Sequence, residues 1–158
     1  YVSDHGNNRI QKFTSEGAFV SQWGTEGTGD GEFQEPEGVA VASDGSVYVV
    51  DALNNRIQRF TSEGAFVSQW GTEGTGDGEF SWPLGVSVAS DGSVYVADFS
   101  NHRVQKFTSE GVFVSLWGTE GAGDGYFRQA RAVAVASDGS VYVADYSNNR
   151  IQKFLPGP

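Results

Sequence analysis

The 158-residue chain contains no cysteine and no methionine, and only two histidines, His5 and His102. Disulfides and thiol chemistry are therefore excluded, and the ligand supply argues against a histidine-based metal site. The missing cysteines leave the redox compartment open, because secreted proteins need not carry disulfides. No apolar run approaches the length of a membrane span, and no leader is visible. The chain opens on Tyr1 rather than Met, which reads as a processed product or an excerpt. Basic side chains are outnumbered, with 10 Lys and Arg against 20 Asp and Glu and a net charge of -10. That balance repels phosphate backbones and anionic bilayers, so neither nucleic acid nor a membrane is the expected partner.

Glycine and aromatics are plentiful, at 22 residues and 13%. This composition predicts many short strands joined by tight turns, with aromatic rings supplying the buried area and no helices.

Aligned on itself, the chain repeats every 47 residues: Tyr1, Tyr48, Tyr95 and Tyr142 fall in register, as do Trp23, Trp70 and Trp117. Each unit holds four short apolar stretches, A to D, which in the second copy are 38–42, 47–51, 56–60 and 65–70. Stretch B (Val47-Tyr48-Val49-Val50) reads as a strand buried on both faces, whereas C and D alternate imperfectly and read as half-buried strands. Ser43-Asp44-Gly45 and Ser62-Glu63-Gly64 predict hairpin turns, and 51–55 a polar corner between B and C. A glycine-rich link, 71–80, leads from D to the next A, with Phe33, Phe80 and Phe127 placed to clip each link to its neighbour.

Four antiparallel strands followed by a longer link to an identical unit is the pattern of a propeller blade. The expected fold class is all-β, a β-propeller of four-stranded antiparallel blades, with about 3.5 blades in this chain. Blades cover 1–154: a partial B-C-D unit over 1–24, full units over 37–70 and 84–117, and a partial A-B-C unit over 131–154. Residues 155–158 break the register and read as a tail or linker.

The segments Val94-Tyr95-Val96-Ala97-Asp98 and Asn101-His102-Arg103-Val104-Gln105-Lys106-Phe107, with Pro83 to Val88 and Trp117-Gly118, resemble the NHL repeat. The third residue of the triplet is Arg in every copy, as in bacterial members of that family. The resemblance implies a ring of about six blades, which the fourteen strands of this chain cannot close alone. Either the chain is an excerpt of a longer array or two copies complete a ring, since open strand edges invite pairing. Function stays open, because propellers of this family bind RNA, proteins or cell-surface ligands, and one class is an amidating lyase.

Differences between the copies cluster. The residues before strand A read Gln34-Glu35-Pro36-Glu37, Ser81-Trp82-Pro83-Leu84 and Arg128-Gln129-Ala130-Arg131. The B-to-C corners begin His5-Gly6, Ala52-Leu53, Phe99-Ser100 and Tyr146-Ser147, and His102 stands where other copies have Asn. Antiparallel order puts all of these at one end of the blades, and diversified Trp, Phe, Tyr and Arg on a rigid scaffold suit a partner-binding surface. The candidates are His5, Leu53, Phe99, His102 and Tyr146 at the corners, and Gln34, Glu35, Glu37, Trp82, Leu84, Arg128, Gln129 and Arg131 in the links. Simple drift of exposed loops is the alternative. It is opposed by the constant hairpin turns at the other end, whose Ser, Thr, Asp and Glu glycine geometry does not explain.

Other chemistry finds little footing. Glu26, Asp30 and Glu32 sit among glycines but lack the spacing of a calcium loop, and read as a solvated acidic turn. The pairs Asp4 and Arg9, Asp51 and Arg56, Asp98 and Arg103, and Asp145 and Arg150 recur in every copy, which suits a structural corner brace. Arg128 and Arg131 beside Trp82, Phe99 and Tyr146 would suit stacked RNA bases, but Glu35, Glu37 and the net charge oppose this. Repetition yields no unique acid-base constellation, so the chain is read as no enzyme and as needing no cofactor. The reading is a binding or scaffold module for a protein, peptide or glycan, expected outside the cytoplasm of a bacterium. The alternative is a purely structural or engineered array selected for self-assembly.

Overall fold

A computed structural model of the protein describes residues 1–155. Of the expected tail, Pro156, Gly157 and Pro158 lie outside the described residues.

The described residues form fourteen strands in four antiparallel sheets, each in chain order. The first sheet holds β1 (Val2–Asp4), β2 (Arg9–Phe13) and β3 (Phe19–Trp23). The second holds β4 (Pro36–Val41), β5 (Val47–Asp51), β6 (Arg56–Phe60) and β7 (Phe66–Trp70), and the third β8 (Pro83–Val88), β9 (Val94–Asp98), β10 (Arg103–Phe107) and β11 (Phe113–Trp117). The fourth holds β12 (Ala130–Val135), β13 (Val141–Asp145) and β14 (Arg150–Phe154). The first sheet thus lacks stretch A and the last lacks D, leaving an open partial propeller. Three-residue 3-10 turns at His5–Asn7 and Tyr146–Asn148 are the helical elements among the described residues, at corners where the sequence predicted polar residues and no helix.

Inner strands β4, β8 and β12 approach so closely that glycine is required between them. A Cβ on Gly38 would lie 2.7 Å from the Leu84 carbonyl oxygen, and one on Gly85 2.8 Å from Ala132 Cα.

The core runs from sheet to sheet. Phe60 meets Trp23 and Phe33 of the preceding unit at centroid distances of 5.8 and 5.6 Å. Phe107 repeats this on Trp70 and Phe80, and Phe154 on Trp117 and Phe127. The clip residues Phe33, Phe80 and Phe127 are fully buried, each contributing roughly 1.5–3 kcal/mol of apolar burial.

Two expectations change. Stretch C of the second unit is not half-buried: Gln58 is 0% exposed, and its amide donates to the Glu32 carbonyl at 2.7 Å and accepts from Gly31 N–H at 2.9 Å. An amide so paired is buried without the usual penalty. The constancy of the hairpin turns also has a structural cause. Asp44, Asp91 and Asp138 each accept the N–H of the Ser two residues on, at 2.9 Å, and Thr61 and Thr108 accept turn amides at 3.3 Å. These side chains hold the turns together, so their constancy no longer counts against drift elsewhere.

Candidate functional site

The variable end is built on the corner brace. In the second unit the Arg56 Nε donates to Asp51 at 2.7 Å, and its other nitrogens reach the Thr28, Gly29 and Glu32 carbonyls of the preceding link. Arg103 and Asp98 repeat this at 2.8 Å, and Arg150 and Asp145 at 2.7 Å. Arg9 and Asp4 pair at 2.7 Å but are partly exposed. The other oxygen of Asp51, Asp98 and Asp145 accepts the N–H opening the variable link, from Gln34 at 2.8 Å, Ser81 at 2.8 Å and Arg128 at 2.7 Å. Burial pushes the Asp145 carboxyl up, but hydrogen bonds from Asn148, the Arg128 N–H, Arg150 and Gln152 outweigh it and hold the carboxyl below its ordinary range. Gln11, Gln58, Gln105 and Gln152 join the brace through the same aspartates. The sequence reading missed them, although their presence in all four copies was a usable signal.

One residue later each link turns through the left-handed region, with φ of 55° at Glu35, 50° at Trp82 and 66° at Gln129. Their N–H groups are held by Asn8, Asn55 and His102 Nδ1 at 2.9, 2.8 and 2.9 Å. His102 thus takes over the acceptor role of Asn, and does so itself at φ 55°. A left-handed conformation costs an L-residue roughly 1–2 kcal/mol, and a bulky Trp there is uncommon.

The side chains that follow form two regions. On one side Trp82 and Phe99 meet edge to face at 5.5 Å, Phe99 and Tyr146 lie 6.2 Å apart, and the Arg131 guanidinium sits 5.0 Å over the Tyr146 ring. Trp82 is 44% and Tyr146 52% exposed. Phe99, expected at the surface outside the core, is buried between these two rings. On the other side His5 Nε2 lies 3.4 Å from carboxylates of both Glu35 and Glu37. Between them Glu37, Leu84 and Arg131 border a cleft of about 320 Å³ along the inner strands. Leu53 is exposed at its corner. Gln34 contributes its backbone to the brace, and its carbonyl accepts the Leu53 N–H. Arg128 is exposed at the aromatic side, while the Gln129 side chain bonds Ser147.

Four-stranded sheets repeated along one chain, joined by buried Asp and Arg braces, define a β-propeller assembled from internal repeats. The chain belongs to the NHL repeat family: the family model matches 33–60, 80–107 and 127–154, more than half of its length. Each match runs from a clip phenylalanine through the variable link and the brace to the phenylalanine that ends stretch C. No curated protein matches the chain in sequence. Among solved structures it is similar to a streptogramin B lyase (15% identity, TM-score 0.67, covering 98% of this chain and 50% of that one). It is similar also to virginiamycin B lyase from Staphylococcus aureus (16%, TM-score 0.66, 98% and 51%) and to Kuenenia stuttgartiensis hydrazine synthase (14%, TM-score 0.64, 96% and 45%). The chain spans about half the length of these structures.

These neighbours correct one expectation. Catalysis was set aside because repeated blades offer no unique constellation, yet lyases share this fold over nearly the whole chain. A blade architecture of this kind is therefore no argument against an enzyme.

Proposed function

We propose that the variable end is a recognition surface, and that the chain serves as a binding and scaffold module for a protein, peptide or glycan. The observation that carries this reading is Trp82. A large apolar ring stands 44% exposed on a backbone at φ 50°, a position where Asn or Gly would fold at lower cost. Strain combined with an exposed aromatic is expected where a side chain is kept for contact with a partner.

The two regions suggest the ligand's polarity. An acidic or planar group suits Arg131, Arg128 and Tyr146, and a basic group suits Glu35 and Glu37 across the cleft. Peptide and glycan libraries screened on the immobilised chain test this, with Trp82→Ala, Arg131→Ala and Tyr146→Ala combined as the comparison. Ligands retained by the chain and lost by the triple variant, at unchanged melting, support recognition. Equal retention by both chains would refute it. Loss of assembly instead would favour the purely structural reading, which the open sheet edges support.

A further inference from the structure

Among the described residues, three of the four sheets receive the same contacts from the unit before them, and the first sheet receives none. Asn54, Asn101 and Asn148 donate to the Gly27, Gly74 and Gly121 carbonyls of the preceding link, whereas Asn7 bonds only Asp4. Arg56, Arg103 and Arg150 each reach further link carbonyls, whereas Arg9 reaches only Asp4 and Gln22 among the described residues. Phe60, Phe107 and Phe154 each pack on a Trp and a clip Phe, whereas among the described residues the one ring paired with Phe13 is Phe19. The turn over Thr14, Ser15, Glu16 and Gly17 is exposed throughout.

Among the described residues, the last two sheets leave the complementary gap, a cleft of about 620 Å³ bordered by Tyr95, Lys106 and Trp117. At the two earlier junctions the C-D turn of the following unit fills this place. Gly64 lies against the Trp23 ring and Gly111 against Trp70, so closely that a Cβ would come within 2.6 and 2.5 Å. The Tyr1 and Tyr48 hydroxyls donate to the Ser62 and Ser109 carbonyls at 3.0 and 3.1 Å. In sequence, the counterpart of Gly64 in the last unit is Pro158.

We propose that a second copy of this chain docks its first sheet on the link 121–128 and Trp117, taking the place of β13 and β14, so that its Thr14–Gly17 turn fills the cleft. Residues 1–13 and 142–154 are identical at 10 of 13 positions, so the incoming segment can make the contacts of the one it replaces. The incoming segment continues into the turn 14–17 and β3. By the register of β12 on β13, Val133 of one copy then faces Val2 of the other, and Ala130 faces Asp4. Charge agrees: Glu63 lies in the field of Lys12 and Glu110 in that of Arg59, which puts Glu16 of the second copy beside Lys106. Made twice, the exchange closes a ring of the length of the solved neighbours, half of which one chain covers. The cleft lies at the end opposite the variable surface, but the exchange also sets His5 of the second copy in the place of Tyr146 on that surface.

Light scattering on the full chain at micromolar concentration tests the exchange. The expected mass is twice 16.9 kDa. Ser15→Trp enlarges an exposed turn, where a Cβ on Gly17 would meet nothing within 4 Å, and is expected to give a folded monomer. Lys106→Glu and Glu16→Lys are each expected to weaken the dimer several-fold, and together to restore it. A monomeric full chain, an assembly of another mass, or a dimer indifferent to Ser15→Trp would each overturn the proposal. So would a cleft filled only by further blades of a longer polypeptide.

Discussion

The Arg56 Nε donates to the Asp51 carboxylate at 2.7 Å, while a terminal nitrogen of the same guanidinium reaches the Gly29 and Glu32 carbonyls at 2.8 and 2.9 Å. One buried pair thus fastens the corner of its own sheet to the link leaving the previous one. The variable side chains sit on that joint.

Removing the guanidinium strands a carboxylate that is 0% exposed. Arg56→Ala is expected to cost about 3–5 kcal/mol in urea unfolding. Arg56→Lys is expected to recover little of this, because a single ammonium cannot span the carboxylate and three carbonyls.

Gly45 and Gly64 share nearly the same backbone, at φ 85° and 88°, but not the same surroundings. A Cβ on Gly45 meets Ser62 at an ordinary 3.7 Å, and one on Gly64 meets the Trp23 ring at 2.6 Å. Gly45→Ala should cost only the left-handed strain of about 1–2 kcal/mol, and Gly64→Ala should cost clearly more. Thermal melts of the two variants measure the difference, and equal losses would mean the Trp23 seat is slack.

The repeat, the strands and both turn types were legible because each is written within a few neighbouring residues: Ser-Asp-Gly at a hairpin, a β-branched run in stretch B. The pairing of Asp51 with Arg56 was legible too, being five residues apart. Its reach to Gly29 and Glu32 was not, since those partners lie in the preceding unit and depend on how sheets pack. For the same reason stretch C read as a half-buried strand and Phe99 as a surface ring. The constant Asp44 and Thr61 looked unexplained in sequence because their partners are backbone amides, which no residue type reveals.

Those turn aspartates make stability depend on acid. The N–H groups of Ser46, Ser93 and Ser140 hold the Asp44, Asp91 and Asp138 carboxyls below their ordinary value of 3.8. A carboxyl lowered in the folded state adds stability that is complete above its unfolded value and is lost as pH falls through the folded one. Unfolding free energy should therefore decline below about pH 4. Asp44→Asn, Asp91→Asn and Asp138→Asn combined, which keep an acceptor oxygen, should make that decline shallower. An unchanged slope would assign acid sensitivity to other groups.

Trp82→Asn separates strain from contact. Relief of the left-handed backbone is worth about 1–2 kcal/mol, and the lost edge contact with Phe99 about 0.5–1.5 kcal/mol. The two nearly cancel, so stability should stay within about 1 kcal/mol of the parent chain while ligand binding falls. A large loss of stability would make Trp82 a packing residue.

The most direct test makes the second and third units uniform at the variable end, rewriting 81–84 and 99–100 with the residues found at 34–37 and 52–53 and leaving every brace untouched. Binding of a library-selected ligand is then measured by calorimetry on both chains. The account predicts a lower melting temperature from the loss of the buried Phe99 ring, the same assembly, and ligand binding abolished at temperatures where both chains are folded. Undiminished binding by the uniform chain would contradict it.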